Sequence, residues 1–256
     1  DSKTWSSAVV GTLSPWIDLD AASSPEQRVR CRQALEKELH WASHLGVYGV
    51  LLPPPSGPRC ELYAGALGRL LLGGICTTQL MLRVPMLREL ESAQVDGWEV
   101  WNHFRLLCDQ NSRLQVALEL TADLPSTDRE MERWLAEPVR AIIIPADIFL
   151  TNKQGFPVLS KRHKAFLLMF FRYRVQVILQ GLPEPGEGET DNETSKYLHY
   201  VARLFQSRPA NTPQEQFELP YHDYLQAPLQ PLQDDLESQT YETFEKDPVK
   251  YVRYED

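Results

Sequence analysis

Val139-Arg-Ala-Ile-Ile-Ile144, closed by Pro145, decides the fold. A near-continuous apolar run ended by a residue that cannot donate to a ladder is the mark of a strand covered on both faces. Such strands belong to parallel sheets with crossover connections. The flanking sequence repeats the pattern. Before it, Ser7-Ala-Val-Val-Gly11, Val47-Tyr-Gly-Val-Leu-Leu52, Gln79-Leu-Met-Leu-Arg-Val84 and Arg113-Leu-Gln-Val-Ala-Leu-Glu-Leu120 read as strands; after it, Val175-Gln-Val-Ile-Leu179 does. Helical patterns alternate with them. Ser24, Pro25 and Gln27 open a helix with a cap, a proline at the first helical position and a capping box, and Gly46 stops it. Further helices are predicted over 61–72, over 97–108, from the Thr127/Glu130 capping box, over 158–172 and over 193–206. Six strand–helix units at similar spacing predict an α/β fold, either most of a (β/α)8 TIM barrel or a doubly wound sheet.

After Arg208 the character changes. Thr212-Pro-Gln-Glu215 is a further capping box whose helix Pro220 breaks early. Leu225-Gln-Ala-Pro-Leu-Gln-Pro-Leu-Gln233 is a proline-punctuated connector, and 233–246 is helix-like and acidic. Tyr221, Tyr224, Tyr241, Phe244, Tyr251 and Tyr254 make this tail aromatic-rich, as a linker into another domain would be.

The chain has 256 residues, 43% hydrophobic and 24% charged, enough to bury a core without staples. No apolar run approaches the ~20 residues of a membrane span. The first residues show no basic start, no apolar core and no initiator Met, so the expectation is a fragment without a signal peptide. The four cysteines, Cys31, Cys60, Cys76 and Cys108, form no C-x-x-C pair and read as free thiols of a reducing compartment. A net charge of -9 argues against nucleic acid as a partner. That charge is unevenly spread. Between Asp147 and Glu184 there is no carboxylate, while Lys153, Lys161, Arg162, Lys164, Arg172 and Arg174 form a basic island. Such an island attracts an acidic partner by its local potential, or is simply a solvated helix face.

Most catalytic patterns are absent or incomplete. His40 and His44 have the spacing of a zinc-binding helix, but Trp41 stands where that motif needs its Glu base, so both read as structural. Gly186-Glu-Gly188 lacks the third glycine of a dinucleotide loop and sits among acids, and no phosphate-binding or nucleophile-elbow motif exists. Asn192-Glu-Thr194 is a sequon expected to go unused, since no signal peptide is visible. Glu119, Asp123 and Asp147, near adjacent strand ends, form the one carboxylate group placed for a barrel hydrolase. The loop Leu150-Thr-Asn-Lys-Gln-Gly-Phe-Pro157 is more suggestive. Asn152, Lys153 and Gln154 supply donors beside the basic helix. Phe156 either packs back on that helix or offers an aromatic surface to a short acidic peptide with a hydrophobic anchor.

Longer stretches carry a resemblance. Leu150-Thr-Asn-Lys-Gln-Gly-Phe-Pro-Val-Leu-Ser-Lys161, Gly11-Thr-Leu-Ser-Pro-Trp16, Trp101-Asn-His-Phe-Arg105 and Ala117-Leu-Glu-Leu-Thr-Ala-Asp-Leu-Pro-Ser126 resemble the barrel domain of the protein arginine N-methyltransferase 5 family, the type II, symmetric-dimethylating enzymes. In the tail, Pro228-Leu-Gln-Pro-Leu232 and Leu236 to Tyr251 do so too. The resemblance implies a TIM-barrel regulatory domain over 1–210, a linker over 211–232 and the truncated opening of a methyltransferase domain over 233–256. It also implies that two barrel strands precede Gly11, so that six units leave two edges to be covered.

The implied role is docking rather than chemistry. Partners would be a WD-repeat methylosome protein and substrate adaptors, pICln-like and RIO-kinase-like, that insert an acidic peptide of the type Gly-Gln-Phe-Asp-Asp-Ala-Asp. The family's groove falls on Asn152, Lys153, Gln154 and Phe156, faced by Lys196, His199 and Arg203. Gln154 stands where a second lysine is common, and Lys196, His199 and Arg203 replace smaller or neutral residues. The parent would be an oligomeric, cytoplasmic and nuclear enzyme that methylates arginines of Sm proteins and histones with S-adenosylmethionine. Tyr241, Phe244, Lys250 and Tyr251 match the segment that helps hold cofactor and target guanidinium there. The fragment itself is expected to hold no metal or cofactor and to be inactive. Two other readings stand beside this one: the strand-end hydrolase, and a scaffold that docks only the WD-repeat protein.

Overall fold

A computed structural model describes residues 9–22, 24–56, 59–74, 78–90, 93–173, 175–182, 192–221, 230 and 234–255. Cys76, Arg174, the Gly186-Glu-Gly188 loop, Ser7, Ala8 and most of the proline-punctuated connector lie outside the described residues. Among the described residues no helix is long and apolar enough to cross a membrane.

Six strands pair in parallel as one sheet: β1 (Val10–Thr12), β2 (Gly49–Leu52), β3 (Gln79–Pro85), β6 (Leu114–Glu119), β7 (Val139–Pro145) and β10 (Gln176–Gln180). Their order in the sheet is their order along the chain. A doubly wound sheet needs a point where the strand order reverses. None exists among these six, which settles the open alternative in favour of the barrel: the sheet is a curled, parallel half-barrel.

Period-2 alternation explains where the core sits. Val50, Leu52, Leu80, Leu82, Val84, Val116, Leu118, Ile142 and Ile144 point to the outer face and join one large cluster with the helices. Val10, Leu51, Met81, Ala117, Ala141, Ile143 and Ile178 point inward and form a second, smaller cluster with no helical residue in it. The buried run 141–144 thus splits evenly between the two faces.

The helices cover the outer face. In α1 (Pro25–Leu45), Cys31, Leu35, Leu39 and Ala42 fall on one stripe and are buried. Ser24 accepts from the Gln27 N–H, Pro25 occupies the first turn, and Gly46 closes the helix in the left-handed conformation. Helices α2 (Glu61–Leu72) and α3 (Gly97–Leu107) follow, then α4 (Asp128–Glu132), opened by the Thr127/Glu130 capping box, α5 (Lys161–Phe170) and α6 (Asn192–Gln206).

Three elements differ from expectation. Two strands, β4 (Leu87–Leu90) and β5 (Ala93–Asp96), form an antiparallel hairpin between β3 and α3. The basic helix starts at Lys161 rather than Val158. Pro157–Val158 is instead a short strand, β9, paired with β8 (Leu150–Thr151), and Ser160 is the cap that starts the helix. The acidic tail helix is shorter than 233–246: it runs as α8 (Ser238–Glu245), followed by α9 (Pro248–Glu255). Before it, Thr212 caps α7 (Pro213–Glu218), which ends in a tight turn at Pro220. The chain divides into two compact units, 1–208 and 209–256.

Candidate functional site: a cationic groove between the 150–158 hairpin and α6

The hairpin loop is shaped by its own residues. The Asn152 side-chain carbonyl accepts from the Gln154 N–H (2.8 Å) and the Phe156 N–H (2.9 Å). Its backbone N–H donates to Phe156 O at 2.9 Å, and Gly155 N–H donates to Asn152 O at 3.0 Å. Gly155 has φ +79°, a conformation that side chains resist, and so completes the turn. With one carbonyl fully used inside the loop, Asn152 is first a shaping residue. Phe156 does not fold back onto α5; it is 49% exposed.

Helix α6 is docked against this hairpin by aromatic contacts. Phe149 meets the Tyr197 ring edge-on at 4.9 Å and Tyr200 at 6.0 Å. The Tyr200 hydroxyl accepts from the Leu159 N–H at 3.0 Å. Tyr197, Tyr200, Val201 and Leu204 occupy the packed side of α6, which leaves Lys196, His199 and Arg203, at i, i+3 and i+7, on a neighbouring stripe.

The result is a groove of about 830 Å³ between hairpin, α5 and α6. Asn152, Gln154 and Phe156 line one side; Lys196, His199 and Arg203 line the other, with Lys164 of α5 beside them. Among the described residues no carboxylate lines it. Six of the seven groove residues expected from the sequence are therefore together. Lys153 is in the loop and exposed but is not among the lining residues. The sequence reading missed Phe149, Tyr197 and Tyr200, which build the groove. For Tyr197 and Tyr200 the signal was present, as aromatic residues three apart on an amphipathic helix.

The basic island is divided by the fold. Arg162 donates to Pro125 O at 2.6 Å and Ser126 O at 3.3 Å, so its guanidinium ties α5 to the β6–α4 loop. Lys164 and Arg203 form no ion pair with any described residue. His163, buried beneath the basic face, is a structural link: Nε2 faces Thr121 O at 2.8 Å and so carries the proton, and Nδ1 lies 2.7 Å from the Ser160 hydroxyl.

The strand-end carboxylates are differently placed. Glu119 and Asp147 line one cavity of about 500 Å³ at the C-terminal ends of the strands; Asp123 is not part of it. Both Glu119 oxygens are held by Arg83, from Nε and Nη2, each at 2.7 Å. That bond, opposed by burial, raises the Arg83 pKa further above its ordinary value. With both oxygens taken up by Arg83, Glu119 serves as an ion-pair partner between neighbouring strands. Among the described residues no group of His, Cys, Asp and Glu is arranged to hold a metal ion. His44 stacks on Trp41 at 5.5 Å.

In the second unit, Tyr241 and Phe244 meet edge-on at 6.2 Å on α8, and Lys250 Nζ lies 4.8 Å from the Tyr251 ring on α9. The three rings are exposed and offer an open aromatic wall.

A curled sheet of parallel strands in chain order, with its helices packed on the outer face, defines the TIM-barrel class of domain. The sequence matches the PRMT5 TIM barrel domain over residues 1–207 and the PRMT5 arginine-N-methyltransferase family over residues 212–256. Protein arginine N-methyltransferase 5 of Oryza sativa subsp. japonica is 42% identical over 280 residues, covering 98% of this chain and 43% of that protein. The Xenopus laevis protein of the same name is 37% identical, covering 99% of this chain and 42% of that protein. Protein arginine N-methyltransferase skb1 of Schizosaccharomyces pombe is 34% identical, covering 96% and 39%. The chain belongs to the protein arginine N-methyltransferase 5 family. It spans about two fifths of the length of these relatives.

Proposed function

We propose that this chain is the partner-docking portion of a type II protein arginine methyltransferase, and that its groove takes a short acidic, Phe-containing peptide from a substrate adaptor. The observation that carries the reading is the groove itself: Phe156, Gln154 and Asn152 face Lys196, His199 and Arg203 across a space lined by no carboxylate among the described residues. An aromatic wall accepts the peptide's Phe, and the opposite cations accept its Asp side chains. The loop is held in shape by Asn152 before any peptide arrives, which lowers the ordering cost of binding.

In this reading 1–210 is the docking domain, 211–232 a linker and 233–256 the opening of the methyltransferase domain. The longer protein transfers methyl groups from S-adenosylmethionine to arginines of Sm proteins and histones, in the cytoplasm and nucleus. It also binds a WD-repeat subunit through another surface. Tyr241, Phe244, Lys250 and Tyr251 would then contribute one wall of the cofactor and guanidinium site.

The test is fluorescence anisotropy of labelled Gly-Gln-Phe-Asp-Asp-Ala-Asp titrated with the 256-residue chain. Saturable binding that weakens with salt is expected. Phe156→Ala and Arg203→Glu should each lower affinity at least ~10-fold, about 1.4 kcal/mol. Lys153→Glu, outside the lining, should cost less. No binding by the folded chain would overturn the groove reading and favour a scaffold that docks only the WD-repeat protein.

A further inference from the structure

The groove brings cations together from separate elements of the fold. Arg203 from α6 and Lys164 from α5 approach it from two different helices, and neither is neutralised by a described carboxylate. His199, one turn before Arg203, lies on the same wall, its Nδ1 3.3 Å from the Ser195 hydroxyl. Groups at i and i+4 of a helix are about 5–6 Å apart, close enough to reach one anion together. Phe156 and Leu204 supply the adjoining apolar wall. Cations converging from separate elements suit an anion with several acceptor oxygens and more than one negative charge. A phosphoryl group has three such oxygens and close to two charges near neutral pH.

Resting on the docking role proposed above, we infer that the groove prefers a phosphorylated peptide: one with a phosphoserine or phosphothreonine within four residues after its hydrophobic anchor. Phosphorylation of the incoming peptide would then be the control on docking. Arg203 and Lys164 supply the discrimination and Phe156 the common anchor. A carboxylate satisfies part of this set. The phosphoryl group adds an acceptor and a charge beside Arg203 and Lys164, which no described carboxylate neutralises.

The test compares five labelled peptides on the 256-residue chain: Gly-Gln-Phe-Asp-Asp-Ala-Asp, three versions in which each Asp in turn is phosphoserine, and an unphosphorylated version with serines at those three positions. At least one phosphopeptide should bind about tenfold tighter than the all-Asp peptide at low salt, as expected when charge-assisted bonds are added. Arg203→Ala and Lys164→Ala should each weaken the phosphopeptide by a larger factor than the all-Asp peptide, so that the ratio shrinks toward one. If the all-Asp peptide binds and no phosphopeptide exceeds it, this inference fails and the docking reading stands. If no peptide binds, the docking reading fails and takes this inference with it. Inorganic phosphate at millimolar concentration is the control. Displacement of the phosphopeptide as effective as that by excess unlabelled phosphopeptide would show a phosphate site indifferent to peptide, and would also overturn the inference.

Discussion

Gly97, the first residue of α3, has no room for a side chain. A β-carbon there would run into the Pro85 carbonyl oxygen, with Met86 O only 3.0 Å away. Both obstacles are backbone and cannot rotate aside. Gly97→Ala should cost about 3 kcal/mol or more, the upper part of the overpacking range, read as a lower denaturant midpoint. Glu137 is the opposite case, a residue surrounded by donors. Its carboxylate accepts from Trp98 Nε1 (2.9 Å), Trp101 Nε1 (2.8 Å) and Arg105 Nη1 (2.8 Å), and its side chain is 4% exposed. Glu137→Ala strands two indole N–H groups and a guanidinium, and should cost about 3–5 kcal/mol in the same measurement. The Trp101-Asn-His-Phe-Arg105 stretch was legible in the sequence as a family feature, but its purpose was not. The partner lies more than thirty residues away, beyond any local spacing. The thiols yield a further expectation. Burial raises Cys60 and Cys108 to about 12. Both are neutral thiols at pH 8, so a thiol-alkylating reagent should label neither until the protein unfolds, as intact mass would show. Because the folded pKa is the higher one, their contribution to stability is complete below the ordinary thiol range near 9. It is lost as pH rises toward 12.

At the scale of elements, the sequence was most legible where the chain announces its own ends. Helix α1 begins and stops at the residues its cap, proline and glycine indicate, because those signals act within one turn. The 87–96 hairpin escaped detection because no alternation or turn dipeptide of the usual kind marks it. The start of α5 was misplaced because Val158 is apolar in a helix-like pattern but is committed to pairing with Leu150. The seating of α6 rests on residues far apart in sequence, and it can be tested. Tyr200→Phe keeps the ring contact with Phe149 and removes only the acceptor for the buried Leu159 N–H. The expected cost is about 1–3 kcal/mol by denaturant unfolding, together with weaker peptide binding. Leu35→Ala, a deletion at the fully buried centre of the α1 stripe, should cost about 2–5 kcal/mol.

At the scale of the whole molecule, the number of strand–helix units was legible, but the choice between barrel and doubly wound sheet was not. That choice turns on strand order, and similar crossovers serve both. The half-barrel also explains how the carboxylates at the strand ends are engaged. Alternation places Arg83 and Glu119 on the same inner face of neighbouring strands, in register with Val84–Leu118 and Pro85–Glu119. Their pairing is a product of topology that no linear reading reveals. The site on the outer side was easier to see because most of its loop is contiguous.

The one-directional strand order has a consequence for how the chain acquires its shape. Every sheet pairing joins strands that follow one another apart from the inserted hairpins, so each new ladder closes a modest loop rather than recruiting a distant segment. Assembly can therefore spread outward from a central pair, and β3 with β6 has the longest ladder of those that cross the middle. Native-state hydrogen exchange should show that history in reverse. Amides of β3, β6 and β7 should exchange only with global opening, while those of β1 and β10 exchange through smaller, earlier openings.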